Sequence, residues 1–242
     1  MKKRINLVGD SNKPKITELV NEIKPWLEEK AKIVAVDLTN RLDISKVKAD
    51  LVLVLGGDGS ILAVARRLKH NQIPIIGVNV GKFGFLAEFS TDELKTSLRD
   101  VLSKPLRVSS RIMLHTEIMR GNKKLGPFIT LNDIVISRGS ISRMIYLKPR
   151  INNEDVTVFR GDGLIISTPV GSTAYSLSAG GPLVYPEMQA FILTPVCPHT
   201  LSLRPLVVPT EHSIELEILA ETSDEVILTA DGQVFMYLQP VD

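Results

Sequence analysis

Residues 50 to 59 read Asp-Leu-Val-Leu-Val-Leu-Gly-Gly-Asp-Gly. An apolar run broken at once by glycine is the pattern of a strand buried on both faces, and such strands belong to parallel sheets covered by helices. Gly56, Gly57 and Gly59 lack a Cβ, so the backbone can turn sharply there and come close to a ligand. The spacing predicts a helix over 60–68, which puts the loop at a helix N-terminus. Free N–H groups and the positive end of the helix dipole favour phosphate at such a place. Asp58 is the one carboxylate in this anion-binding turn. Two roles are open to it: accepting a proton from an attacking hydroxyl, or holding a metal ion. An ordinary tight turn between strand and helix accounts for the glycines but not for the carboxylate between them.

Two better-known phosphate loops are excluded. The P-loop pattern Gly-x-x-x-x-Gly-Lys-Ser/Thr is absent from the sequence. The Rossmann pattern Gly-x-Gly-x-x-Gly fails because Ser60-Ile-Leu follows Gly59 without a third glycine.

With 242 residues and 44% hydrophobic composition, the chain can build one large or two modest cores without disulfides. Lys and Arg number 29 against 27 Asp and Glu, which argues against a dedicated nucleic-acid binder. No apolar run has the length of a membrane span. The basic start Met1-Lys-Lys-Arg reaches Asp10 after a very short apolar stretch, so it reads as a first strand rather than a signal peptide. The single cysteine, Cys197, allows no intrachain disulfide. A cytoplasmic protein is expected.

Strand and helix alternate through the first part of the chain. Strands are expected at 4–8, 33–38, 51–55 and 73–78. A helix over 13–30 carries Ile16, Leu19, Val20, Ile23, Trp26 and Leu27 on one face. Pro14 suits its first turn, Asn12 is the expected cap, and Pro25 is expected to kink it. Ser90-Thr-Asp-Glu93 has the form of a capping box ahead of Leu94, Leu98, Val101 and Leu102. The pattern changes near Lys104-Pro105. Beyond it, period-two segments such as Ile112, Leu114, Thr116, Ile118 and Ile214, Leu216, Ile218 alternate with turn signals at Gly121-Asn122, Asn152-Asn153 and Asp231-Gly232. The expected fold class is an α/β N-terminal domain with a Rossmann-like parallel sheet, residues 1–104, and a β-rich, sandwich-like C-terminal domain, residues 105–242.

One segment interrupts the β pattern. From Arg160-Gly-Asp-Gly163 to Gly181-Pro182 the chain is dense in glycine, small residues and hydroxyls. Residues 172–179 are expected to form a short helix opened by Gly171 and ended at Gly180-Gly181. Ser172 and Thr173 then stand where hydroxyls can meet a polar ligand, and Tyr175 can stack on a purine. A capped helix joining two strands explains Ser172 and the glycines, but neither the length of the small-residue run nor the second Gly-Asp-Gly.

Gly56-Gly-Asp-Gly59, Asn132-Asp133, Gly161-Asp-Gly163, the run Ser167-Thr-Pro-Val-Gly-Ser-Thr-Ala-Tyr-Ser-Leu-Ser-Ala-Gly-Gly181, Cys197-Pro-His-Thr-Leu-Ser-Leu-Arg-Pro205 and Ala230-Asp-Gly-Gln233 together resemble the NAD kinase family, in the family's order. The resemblance runs from about residue 50 onward. The Gly-Gly-Asp-Gly loop also occurs in lipid and sugar kinases, whereas the Ser-Thr-Pro-x-Gly-Ser-Thr-Ala-Tyr run is highly specific. The resemblance implies phosphoryl transfer from ATP, or polyphosphate in some members, to the 2′-hydroxyl of the adenosine ribose of NAD. It implies a divalent metal ion, Mg, and a homodimer or homotetramer, with no nucleic-acid or membrane partner. It puts Asp58 at the reacting hydroxyl, with Gly57 and Gly59 lining the site and Phe85 near the substrate. It gives adenosine to Asn132 and Asp133 and the adenine side to Thr173, Ala174, Tyr175 and Ser178. Asp162, beside Arg160, is implied at the nicotinamide half, often on a neighbouring subunit. Three positions depart from the family: Asp133 stands for the more frequent Glu, Ser60 for Thr, and Lys82 for Arg, His or Asn.

A 2′-hydroxyl is a poor nucleophile at neutral pH, and a carboxylate within hydrogen-bond reach can take its proton as the bond to phosphorus forms. Loop N–H groups and a metal then offset charge on the transferring group. The other candidates read more simply. Cys197 is expected as a small buried residue, Asp231-Gly232 as a hairpin turn, and Arg66-Arg67 as a solvated helix face. Arg111 and Arg204 suit carboxylate pairing as well as ligand binding, and His199 a place near the site as well as a structural one. A kinase of lipids or sugars and a non-catalytic dinucleotide sensor are the competing readings.

Overall fold

The structure, a computed structural model, describes residues 2–81, 84–87, 89–139, 144–200, 202–220, 222 and 225–240. The chain divides into two compact units, residues 1–109 and 110–242. Lys82 lies outside the described residues.

The first unit runs β1 (Arg4–Val8), α1 (Pro14–Lys30), β2 (Lys32–Asp37), β3 (Leu51–Leu55), α2 (Asp58–Leu68), β4 (Ile75–Asn79), β5 (Phe89–Ser90) and α3 (Leu94–Ser103). Strand order is β2-β1-β3-β4-β5, with every pairing parallel. Leu51, Leu53 and Leu55 face Ile16, Val20, Ile23 and Leu27 of α1 and Leu94 and Leu98 of α3. Val52 and Val54 face Ile61, Val64 and Leu68 of α2. Helices on both faces explain why every residue of β3 is buried and apolar. Truncating Leu53 to alanine at the centre of this layer costs about 2–5 kcal/mol.

The local signals are met in some places and overridden by packing in others. Lys13, not Asn12, stands at the N-terminal boundary of α1 and makes no side-chain cap bond, while the Asn12 N–H donates to the Asp10 carboxylate (3.0 Å). The helix runs through Pro25 as one element, with Ile23 and Leu27 fully buried on either side of it. The capping box forms, Glu93 N–H reaching Ser90 Oγ and Ser90 N–H reaching Glu93 Oε2, both at 3.4 Å. Arg67 is not solvated; it pairs with the buried Asp37 at the end of β2 and donates to Asn40 and the Leu42 carbonyl.

The second unit runs β6 (Leu114–Arg120), β7 (Lys123–Thr130), β8 (Asp133–Arg138), β9 (Ile145–Ile151), β10 (Glu154–Asp155), β11 (Phe159–Gly161), β12 (Gly163–Ser167), a 3₁₀ turn at Gly171–Thr173, α4 (Tyr175–Ser178), β13 (Ala190–Val196), β14 (Leu206–Pro209), β15 (Ile214–Ile218), β16 (Val226–Ala230) and β17 (Val234–Leu238). Antiparallel strands in the order β14-β13-β12-β8-β16-β17 form one sheet, β10, β11 and β15 all pair with β9 in another, and β6-β7 is a hairpin. Their inner faces share one apolar cluster that includes Leu114, Ile136, Leu147, Phe159, Ile166 and Leu228. That shared interior is a sandwich core fed by alternate residues of each strand. β8 and β12 are central, so the ends of these two strands are held most firmly.

Candidate active site

The loop after β3 reaches the carboxyl edge of the sheet beside β1. Strand order reverses there, β1 leading to β2 on one side and β3 to β4 on the other, which is where open α/β sheets bind ligands. A cleft of about 250 Å³ lies at this point, lined among others by Asp10, Lys13, Asn40, Gly57, Gly59 and Ser60. The glycines differ in what they do. A Cβ on Gly56 would strike Ser60 Oγ at 2.3 Å, so the fold itself needs that glycine. A Cβ on Gly57 would meet no atom within 4 Å, so its bareness leaves room at the cleft.

α2 begins two residues earlier than its apolar spacing predicts, so Asp58 is its first residue. A carboxylate in a first helical turn stands at the positive end of the helix dipole. Its position is set from elsewhere. Asp58 Oδ2 accepts the N–H of Phe85 at 2.7 Å, and Oδ1 accepts those of Leu86 (3.0 Å) and Ala87 (3.3 Å). A Cβ on Gly84 would lie 2.3 Å from the same carboxylate, so only glycine lets this segment wrap it. An ionised carboxylate offers about four lone-pair positions. The amides take two on Oδ1 and one on Oδ2, which leaves Oδ2 an acceptor position for a hydroxyl. Phe85, whose N–H makes one of these bonds, is 78% exposed.

In the second unit the surface is made by β8, β12 and the chain that follows β12. Asp133 opposes Ser167 across the ladder, so both side chains share a face. Thr168 ties the two strands' ends together: its N–H donates to the Asn132 carbonyl (2.8 Å) and its hydroxyl to the Leu131 carbonyl (2.5 Å). A Cβ on Gly171 would lie 2.1 Å from the Asn132 carbonyl oxygen, so the 3₁₀ turn sits directly on Asn132. Asn132, Asp133, Thr173, Ala174, Tyr175 and Ser178 are thereby gathered at one end of β8 and β12. Tyr175 and Ser178 are exposed, Thr173 and Ala174 half-buried. The hydroxyls expected at the helix start are already engaged. Ser172 Oγ donates to the Pro169 carbonyl (2.6 Å) and accepts the Val184 N–H (3.1 Å), and Thr173 Oγ1 donates to the Val170 carbonyl (3.0 Å).

Charge in this surface comes from two aspartates. Asp133 is 5% exposed, and burial, with the negative charge of Asp231 added, pushes its carboxyl up to about 7. Asp231 lies in the turn between β16 and β17 and binds the main chain of residues 131–133. Sequence reasoning saw only the turn, because its partners lie about a hundred residues away.

Asp162 and Arg160 are not part of this group. They precede β12, whereas Thr168 follows it, so roughly 17–20 Å of strand separates them. The Asp162 carboxylate pairs with Arg138 through two 3.2 Å contacts, and the Arg160 guanidinium stacks over the Tyr146 ring at 5.2 Å. The glycines beside Asp162 serve packing: a Cβ on Gly161 or Gly163 would come within 2.9 Å of a carbonyl oxygen of β13 or β8. Cys197 is exposed rather than buried, because the chain turns there out of β13 with φ +46°. The main chain of His199 binds the Arg160 carbonyl (2.9 Å), and Arg111 pairs with Glu187 at 3.6 Å. Among the described residues, no group of three or more His, Cys, Asp and Glu side chains is placed to hold a metal ion.

Comparisons with known proteins agree on one family. Residues 38–105 match the ATP-NAD kinase N-terminal domain and residues 131–242 the ATP-NAD kinase C-terminal domain. The NAD kinase of Trichlorobacter lovleyi is 39% identical over 250 residues, covering 99% of this chain and 88% of its own length. That of Syntrophotalea carbinolica is 39% identical over 251 residues, with the same two shares. The crystal structure of yeast NADH kinase complexed with NADH superposes with TM-score 0.76 at 27% identity, over 100% of this chain and 77% of that one. An NAD kinase from Archaeoglobus fulgidus in complex with ATP gives 0.78 at 25%, over 98% and 87%.

Proposed function

This chain belongs to the NAD kinase family, a family of phosphotransferases, and on that premise we propose that it moves a phosphoryl group from ATP to the 2′-hydroxyl of the adenosine ribose of NAD with Asp58 as the proton acceptor. One observation carries the role of Asp58. Three main-chain N–H groups fix its carboxylate while Oδ2 keeps an acceptor position for the incoming hydroxyl. Such fixing is what general-base catalysis needs, since the base must meet the hydroxyl at hydrogen-bond distance. The cleft at the start of α2, with Lys13 on its wall, suits the donor's phosphates. Asn132 and Asp133 suit the adenosine of the acceptor, and Tyr175, exposed beside them, suits stacking on adenine.

The donor set fits a hard divalent cation that arrives with nucleotide phosphates. Among the described residues there is no side-chain cage, and Mg²⁺ characteristically keeps several waters and takes one or two carboxylates besides phosphate oxygens. Asp10, on the cleft wall, is the carboxylate that would reach it. When bound, such an ion supplies charge neutralisation on the transferring group.

The assembly we propose is a homodimer or homotetramer in which Asp162 serves the nicotinamide half of a dinucleotide held by a neighbouring subunit. The length of β12 between Asp162 and the adenosine-side group supports this, as do Phe235 and Tyr237, exposed along β17 at the edge of its sheet. A cytoplasmic setting is supported by balanced charge and by the free thiol of Cys197. Among the described residues no helix is long and apolar enough to cross a membrane.

The deciding experiment supplies NAD, ATP and magnesium and reads NADP. ATP-dependent NADP formation that disappears in Asp58→Asn supports the proposal; turnover that survives the substitution removes Asp58 from the chemistry. Replacing ATP by polyphosphate, and NAD by NADH, in the same assay sets donor and acceptor preference. Mixing inactive Asp58→Asn and Asp162→Ala chains should restore part of the activity if sites form between subunits.

A further inference from the structure

Residues 131–133 have their main chain held from both sides. The N–H of Asn132 donates to Asp231 Oδ1 at 2.8 Å, that of Asp133 to the same oxygen at 3.3 Å, and that of Leu131 to Oδ2 at 3.3 Å. The Asp231 N–H returns a bond to the Asp133 carbonyl at 3.0 Å, while Thr168 holds the carbonyls of Leu131 and Asn132. Asp231 is 8% exposed, and it reaches this place from a turn in which both it and Gly232 have positive φ, +51° and +61°. Asn-Gly and Asp-Gly both meet a turn of that kind. Three amides on both side-chain oxygens need acceptors at each, which a carboxylate offers and a carboxamide does not, and this points to a use for the carboxylate itself.

We propose that Asp231 is a positioning residue for the adenosine-reading pair: its carboxylate clamps three consecutive amides and so aims the side chains of Asn132 and Asp133 at the acceptor nucleotide. The inference rests on the assignment of that pair to NAD. Its charge has a second effect. The strands flanking Asp133 are β12 and β16. From β12 the group facing it is the uncharged hydroxyl of Ser167, from the 3₁₀ turn come only glycine and hydroxyl residues, and past the end of β16 stands Asp231. Asp231 is thus the charged group that raises the carboxyl of Asp133, beyond what burial does. An ionised Asp133 accepts ribose hydroxyls and a protonated one cannot do so at the same oxygen, so NAD binding should strengthen as pH rises through about 7.

Asp231→Asn separates clamp from turn. The turn is kept, one acceptor oxygen remains for Asn132 and Asp133, and the new amide nitrogen faces the Leu131 N–H, donor against donor. The expected result is a KM for NAD raised about tenfold, as for loss of a hydrogen bond to a charged group, with KM for ATP unchanged. The pH inflection of KM for NAD should also move to lower pH, because the neighbouring negative charge is gone; a residue that merely stabilised the fold would not move it. Wild-type KM and inflection in Asp231→Asn would overturn the proposal. So would a rise in both KM values with a lowered Tm and an unmoved inflection. Asp231→Ala is the harsher variant; where it fails to fold, Asp231→Asn decides. If the wild type forms no NADP, the phosphoryl-transfer reading falls instead, and calorimetric titration of NAD on wild type and Asp231→Asn still decides the clamp.

Discussion

The same hydrogen-bonded unit occurs in both halves of the chain with its roles exchanged. In the first unit the Asp58 carboxylate is gripped by the N–H groups of residues 85–87. In the second, the Asp231 carboxylate grips the N–H groups of residues 131–133. Three amides around a carboxylate make a rigid joint in either case. In the mechanism proposed above, the Asp58 carboxylate does the chemistry and the main chain supports it, whereas at Asp231 the main chain carries the proposed NAD-reading side chains and the carboxylate supports them. Removing a negative charge should therefore damage rate in one place and substrate affinity in the other.

The largest effect tests that contrast directly. Asp58→Asn should lower kcat by roughly a hundred- to ten-thousand-fold, the range for a lost general base, while NAD still binds. Steady-state kinetics with a parallel NAD titration measures both. Near-normal turnover would make Asp58 a helix-end residue only, and the contrast with Asp231 would vanish.

Added methyl groups sharpen the comparison without touching charge. Gly84→Ala drives a Cβ into the Asp58 carboxylate, and Gly171→Ala drives one into the Asn132 carbonyl. Overpacking of this kind costs about 1–3 kcal/mol. The first should appear as a lower kcat with KM for NAD retained. The second should appear as a raised KM for NAD and a lower Tm. Identical kinetic signatures for the two would mean that the two surfaces are not divided between chemistry and recognition.

Smaller effects belong to the ligand-facing side chains themselves. Asn132→Ala and Tyr175→Ala should each weaken NAD binding by roughly tenfold and ATP binding less, since one removes a polar contact and the other a stacking ring. Isothermal titration with each nucleotide separately gives the answer. Equal losses would assign this surface to the wrong nucleotide.

What could be read along the chain in advance was local. The apolar run 51–55, the amphipathic spacing of α1, the period-two strands and the Asp231-Gly232 turn each follow from neighbours a few residues apart, and each is present. The loop's glycines raised the expectation of a ligand surface, and Gly57 and Gly59 line a cleft. What escaped depends on partners far away. The start of α2 at Asp58 becomes intelligible once the amides of residues 85–87 are seen around its carboxylate. The exposure of Cys197 follows from where β13 ends, and the pairing of Arg67 from the position of Asp37 at the end of β2. Asp231 was visible as turn chemistry, yet its carboxylate works across a sequence separation of 98 to 100 residues. No periodicity or spacing rule spans such a gap.

Asp133 supplies an effect on stability rather than on kinetics, with a defined sign in pH. Its carboxyl is raised in the folded protein to about 7 from an ordinary value of 3.8, by burial first and by Asp231 second. The native state therefore holds a proton on Asp133 between those two pH values where the unfolded chain does not. The stability this contributes is fully present below about 4 and is lost as pH rises through about 7. Above that pH the fold must carry an ionised carboxylate that is nearly out of water and beside another. Asp133→Asn abolishes the titration and keeps the shape. Its Tm should exceed that of the wild type at pH 8, and the advantage should shrink steadily toward pH 4. Calorimetric melting of both proteins across that range measures the difference. A gap that stays constant with pH would mean that Asp133 ionises as freely as an exposed carboxylate. The crowding of two aspartates at the start of β8 would then place no demand on the fold, unlike the well-supported single carboxylate at the start of α2.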